Sequence, residues 1–202
     1  MRPLIALADR RGHSEPLCEA VEAAGGEPLI LDGPGPGSGS GPGAAAVGDL
    51  VSRLARTDGL LLPGGDDDRD IAAIAAAREL GLPVLAVGRG TRILNVAFGG
   101  SLGPHPRAGD TVRPVDVMPG SRLHAATGRT RLEAAGCRDQ SLARLGPGLM
   151  VSAIAAGGGV EAVETGDIIA VHWHPQDRAA TSETDAALFA DLVERSARTV
   201  AA

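Results

Sequence analysis

Lysine and tyrosine are absent from this 202-residue chain, and its aromatic side chains amount to two Phe and one Trp. Without lysine there is no Schiff-base or ammonium-dependent chemistry, and all 19 basic side chains are Arg. So few aromatics leave no stacking platform for single-stranded nucleic acid. The net charge of −6 argues against a nucleic-acid or anionic-membrane partner. Two cysteines, Cys18 and Cys137, stand far apart and do not form a disulfide framework. No apolar run approaches the roughly 20 residues of a membrane span. The apolar start "MRPLIALADRRGH" is too short for a signal peptide and reads as a first strand, so the expectation is a soluble cytoplasmic protein.

What is present is aliphatic. Hydrophobic residues make up 44% of the chain, so the core must come from Ala, Val, Leu and Ile. The length suits one domain covering 1–202. Short apolar runs at 4–8, 28–31, 58–65 and 83–87 read as strands. They alternate with helical patterns at 15–24, 44–56, 71–80 and 91–98. That alternation predicts an α/β fold: a mostly parallel central sheet flanked by helices, of the flavodoxin-like kind. "GPGPGSGSGPG" at 33–43 reads as a flexible loop within the domain. The Pro- and Gly-rich stretch 102–148 gives weak strand signals, three further strands follow, and a helix over 186–198 closes the chain. Ligands of such sheets sit beyond the carboxyl ends of the strands, where Gly64-Gly65, Gly88-Arg89 and His172 to Gln176 should converge.

Several residues there carry chemistry. "PVLAVGRGTRILNVAFGGSL" (83–102) has the strand, sharp turn and helix that display a nucleophile, yet Gly88 at the tip has no side chain. His172 and His174 lie two apart on a predicted strand and so share a face, which suits an acid–base pair or part of a metal site. No third ligand is identifiable, so no metal or cofactor is assigned. Arg89 and Arg92 suit a ligand carboxylate, with a solvated helix face as the plain reading of Arg92. The aspartates of "GGDDDRD" (64–70) read as helix N-terminal residues before they read as a cation site. Trp173 is expected to anchor the core.

The order "DGLLLPGG", "GLPVLAVGRGTRILNVAFGGSL", "PGSRL", "VHWHPQ" resembles the class I glutamine amidotransferases, with the gamma-glutamyl-gamma-aminobutyrate hydrolases as the nearest branch. The resemblance runs from Leu4 to about Val193. It implies a Cys nucleophile at an elbow, a His base and a Glu that orients the His. Carried over, the Cys falls on Gly88, the His on His174 and the Glu on Gln176. The Gln that follows the elbow falls on Arg92. The family's V-N-S-x-H-H-Q stretch meets "AAGCRDQ" (134–140), and the segment after "PGG" is shortened. Backbone donors at Gly64, Gly65, Arg89 and Gly90 are the implied oxyanion and ligand-binding groups, with His172 beside them.

These departures remove the thioester route, since glycine neither attacks a carbonyl nor carries an acyl group. Gln176 can fix His174 by hydrogen bonding but cannot stabilise an imidazolium as a carboxylate does. Four changes together fit natural divergence better than one introduced substitution. The expectation is a degenerate hydrolase-like protein that binds or transforms a small amino-acid-like or gamma-glutamyl-type ligand by non-thiol means. The first alternative is a non-catalytic scaffold or regulatory protein partner. The last is a hydrolase using a relocated Cys137.

Overall fold

The computed structural model describes residues 1–8, 14–31, 44–65 and 67–200; the loop 33–43 lies outside them. One nine-stranded sheet runs through these residues in the order β2-β1-β3-β4-β9-β8-β7-β5-β6. Its parallel half consists of β1 (Leu4–Leu7), β2 (Glu27–Ile30), β3 (Gly59–Leu62), β4 (Val84–Val87) and β9 (Ile168–Val171). Helices α1 (Glu15–Ala23), α2 (Ala44–Leu54), α3 (Asp67–Glu79) and α4 (Arg89–Ala97) lie between these strands in sequence, and α6 (Glu183–Val200) closes the chain. This is the α/β architecture expected from the alternation of apolar runs and helical patterns.

Alternation along each central strand explains why both faces are covered. Ile5, Leu7, Leu61, Leu85, Val87, Ile169 and Val171 enter one core cluster with α1 and α6 residues. Their neighbours Ala6, Leu60, Leu62, Val84, Ala86, Ile168 and Ala170 enter the other, with residues of α2, α3 and α4. A strand whose two faces are both buried must be apolar at successive positions, and β3, β4 and β9 are buried throughout.

The weakly signalled region forms an antiparallel wing. The long strands β5 (Ser101–Val117) and β6 (Arg131–Arg144) pair with each other, with a register shift between Pro104 and Gly109. The short helix α5 (Arg122–Thr127) lies between them, and β7 (Met150–Ala155) and β8 (Val160–Thr165) join the wing to β9. Prolines 104, 106 and 114 on β5 account for the faint pattern, because proline cannot donate to a ladder. Ser121 caps α5 by accepting from the His124 N–H at 3.0 Å, and Glu164 accepts from the Arg122 and Leu123 N–H groups at 3.0 and 3.2 Å.

Trp173 anchors the core as expected. It is 1% exposed, and its Nε1–H donates to Asp185 on α6 at 3.0 Å.

Candidate functional site

Strand order brings the carboxyl ends of β3, β4 and β9 side by side, so the segments 63–65, 88–90 and 172–176 meet. At the centre Gly88 has φ 54° and ψ −115°, a conformation that side chains adopt only under strain. Its N–H donates to the carbonyls of Val171 and Trp173 at 2.9 and 3.0 Å. The turn feeds directly into α4, which starts at Arg89, two residues earlier than its hydrophobic spacing predicts.

The other two glycines are dictated by contact. A Cβ on Gly64 would stand 2.7 Å from the Gly90 nitrogen and 2.9 Å from the Arg89 carbonyl carbon. One on Gly90 would overlap the Leu62 carbonyl oxygen. The Gly90 N–H donates to Pro63 O at 3.1 Å, which leaves that donor engaged. The Gly65 N–H donates to the Asp70 carboxylate at 2.7 Å. Asp70, at 2% exposure, therefore already holds one of the donors expected to face an oxyanion.

His174 lies against Gly88. An ideal Cβ at position 88 would overlap the His174 Nε2 and stand 2.5 Å from its Cδ2. The imidazole thus fills the volume into which a side chain at the elbow tip would project. Its backbone N–H donates to Ala135 O on β6 at 3.0 Å. The carboxylate facing its Nδ1 is Asp177, at 3.7 Å, with both side chains substantially exposed. Gln176 does not hold the His174 ring through its amide oxygen: its Oε1 is buried with no hydrogen-bond partner among the described residues, and the residue lines an alanine-rich groove between α1 and α6 of about 330 Å³.

His172 is in a different environment from His174. β9 ends at Val171, so the two are not neighbours on one strand face. His172 is 4% exposed and its Nδ1 lacks a hydrogen-bond partner among the described residues. Burial holds its pKa down to about 4; Glu161 opposes that shift, and the Arg92 and Arg113 guanidinium groups add to it. It is a neutral imidazole at pH 7. Among the described residues no three His, Cys, Asp or Glu side chains group to hold a metal ion.

Two features escaped the sequence reading. Arg113 on β5 and Glu161 on β8 form a buried bidentate pair, Nε to Oε1 at 3.0 Å and Nη2 to Oε2 at 2.7 Å. Arg113 Nη1 also reaches the carbonyls of Ala134 and Gly136 at 3.5 and 3.4 Å, on the strand that holds the His174 backbone. Asn95, fully buried on α4, donates to Ser101 O and Arg144 O and accepts from the Gly146 N–H. The string "LNVAFGG" was the only available signal for it. The Cys137 side chain lies outside the described residues.

A cavity of about 340 Å³ opens one face of α4 away, lined by Arg89, Arg92 and Gln140 among others. Arg92 Nη1 donates to Gln140 Oε1 at 3.4 Å.

The sheet with a glycine elbow at its carboxyl edge defines a glutamine amidotransferase-like α/β fold. A candidate GMP synthase component from Thermoplasma acidophilum superposes with a TM-score of 0.75 over 98% of this chain and 96% of its own, at 16% identity. The glutaminase domain of CTPS from Trypanosoma brucei, with bound acivicin, gives 0.74 over 98% and 94%, also at 16% identity. Among sequences, a candidate glutamine amidotransferase of Mycobacterium tuberculosis is 37% identical over 145 residues, 64% of this chain, which spans only 46% of that protein. A candidate glutamine amidotransferase of Schizosaccharomyces pombe is 28% identical over 86% of this chain and 79% of its own length. The Peptidase C26 model matches residues 66–176, more than half of the chain, and the chain belongs to that family.

Proposed function

We propose that this chain is a degenerate member of the gamma-glutamyl-gamma-aminobutyrate hydrolase branch, without thiol catalysis, and that it uses the inherited site to bind a small amino-acid-like ligand. One observation carries the reading: the His174 ring lies where a nucleophile's Cβ would stand on Gly88. A thiol at that tip would require the ring to move, and glycine supplies none. Two further observations support it. The Gly65 N–H is engaged by Asp70, and the residue in the triad carboxylate's place, Gln176, has its Oε1 without a partner among the described residues. The groups that acyl transfer requires, nucleophile, oxyanion donor and triad carboxylate, are thus altered in three places.

A scaffold or regulatory-partner role is the second reading, favoured by the same closure of His174 onto Gly88. The test is hydrolysis of glutamine and gamma-glutamyl amides by the unaltered chain beside His174→Ala. The expected result is no release of ammonia or amine above the His174→Ala background. Turnover by the unaltered chain that Cys137→Ala abolishes would overturn the reading and move the nucleophile to Cys137. A thermal-shift screen of amino acids and gamma-glutamyl compounds runs alongside, and silence there transfers the conclusion to the scaffold.

A further inference from the structure

We propose that Asp185 on α6 is a positioning residue for His174: it clasps both ends of the turn that carries the imidazole and so keeps the ring on Gly88. This rests on the reading of the elbow as a ligand site and names what sets its closure. After β9 the chain runs through Trp173 and His174 into a single 3₁₀ turn, Pro175–Asp177, and leaves it at Arg178. The Trp173 Nε1–H donates to Asp185 Oδ1 at 3.0 Å, and Arg178 Nε faces Asp185 Oδ2 at 3.8 Å, a charge contact. One carboxylate thus holds the residue before His174 and the residue that ends the turn. Strand β6 holds the same turn independently. Ala135 O accepts from the His174 N–H at 3.0 Å, and Glu133 Oε2 accepts from Arg178 Nη2 at 3.3 Å.

The plain role of an aspartate here is to cap α6. An acidic side chain three residues after a capping serine turns back to that serine's N–H. In this chain the Ser182 N–H donates to Arg178 O at 2.8 Å, and the Asp185 carboxylate accepts from Trp173 instead. The Ser182 Oγ accepts from the Asp185 N–H at 3.3 Å, so the cap forms without the Asp185 side chain. Asp185 is 3% exposed, and burial pushes its pKa up, against hydrogen bonds from Ser182 and Trp173 and the Arg178 charge. A carboxylate so buried keeps its charge only beside donors and a cation, which ties Arg178 to it. With both flanking residues fixed, the backbone from 174 to 177 has little room to shift. The His174 ring accordingly stays in the volume of a Cβ on Gly88.

Diethyl pyrocarbonate labelling of the full chain, read at each histidine by mass spectrometry, tests this. With no lysine or tyrosine in the chain, imidazole nitrogens are the reagent's main targets. The His174 Nε2 lies against Gly88 and its Nδ1 faces Asp177, so its labelling should be slow in the unaltered chain. Asp185→Asn and Arg178→Met should each speed it by about two- to fivefold, the factor that follows from losing one such charge contact. Arg178→Lys, which keeps the charge, should recover part of the difference. Ile74→Val, a destabilising change in the other core layer, should leave His174 labelling unchanged, which separates positioning from mere loss of stability. A second readout is the coupling between Gly88→Ala and His174→Ala, about twofold or more in the folding equilibrium constant. It should vanish in the Arg178→Met background, because a ring no longer held over position 88 does not meet the new Cβ. If Asp185→Asn does not fold, the Arg178 variants decide the question. Unchanged His174 labelling in Arg178→Met, or equal acceleration by Ile74→Val, overturns the inference. Coupling that persists in Arg178→Met, or is absent from the unaltered background, overturns it too. Each of these results leaves the proposed function standing, which falls instead on glutaminase turnover by the unaltered chain.

Discussion

Adding a single methyl group at the elbow tip, Gly88→Ala, probes the central geometry. Two costs oppose one gain. The φ of 54° with ψ of −115° charges a residue bearing a Cβ about 1–3 kcal/mol. The new Cβ also overlaps His174 Nε2, so the imidazole must rotate away from its present place. Against this, alanine narrows the unfolded ensemble and returns about 0.4–1 kcal/mol. Strain less the entropy gain leaves a destabilisation of about 0–2.6 kcal/mol, and displacing the His174 ring adds to it. For a chain of this size that lowers Tm by roughly 2–4 °C per kcal/mol.

A double-mutant cycle with His174→Ala separates the two costs. Deleting the imidazole removes the overlap and leaves the backbone strain, so Gly88→Ala should cost less in the His174→Ala background. A coupling on the order of 0.5 kcal/mol or more is expected for groups in contact. Chemical denaturation of the four proteins is the measurement. A stabilising Gly88→Ala would refute the strained elbow. Strict additivity would refute the placement of the His174 ring in the Cβ volume.

Two further predictions concern the buried charges behind the elbow. Arg113→Ala leaves Glu161 buried at 1% exposure without its bidentate partner, and a loss of about 3–5 kcal/mol is expected in urea denaturation; Arg113→Met with Glu161→Leu should recover most of it, and an Arg113→Ala cost below about 1 kcal/mol would contradict the pair's geometry. His172 sets a pH dependence whose sign follows from its lowered pKa. The unfolded chain takes up the proton near pH 6.5 and the folded one only near 4, so stability is full above about 6.5 and is lost as pH falls from there to about 4. Over that window the loss is about 3 kcal/mol, and His172→Gln should flatten it in denaturation curves taken at pH 7, 5.5 and 4.5. An unchanged slope in that variant would assign the acid sensitivity to other groups.

The central sheet was legible because its information is local. Successive apolar residues in "LIAL", "GLLL" and "VLAV" declare strands buried on both faces, and helical spacing between them declares what covers those faces. The convergence of Gly64, Gly88 and His174 followed from the rule that parallel strands present their carboxyl ends together. Trp173 was recognisable as an anchor from its rarity. The long strands β5 and β6 were only faintly legible, since their prolines and polar residues blur the period of two. Asp70 illustrates the limit differently. An aspartate in the first turn of α3 is expected from helix electrostatics, but its bond to the Gly65 N–H depends on how the turn after β3 folds back.

By itself, then, the sequence determined the alternating α/β order, the glycine at the elbow tip and the aliphatic make-up of the core. Each of these is set by periodicity or by the identity of one residue within a short window. Only the tertiary structure decided that the His174 ring fills the space above Gly88, that Arg113 meets Glu161 across 48 residues, that Gln176 Oε1 is buried without a hydrogen-bond partner among the described residues, and that Arg89 and Arg92 border one cavity with Gln140. Those pairings depend on strand order and register, which bring distant side chains within hydrogen-bonding range. A local pattern reports whether a residue is buried; which partner it meets there is settled by the packing of the whole chain.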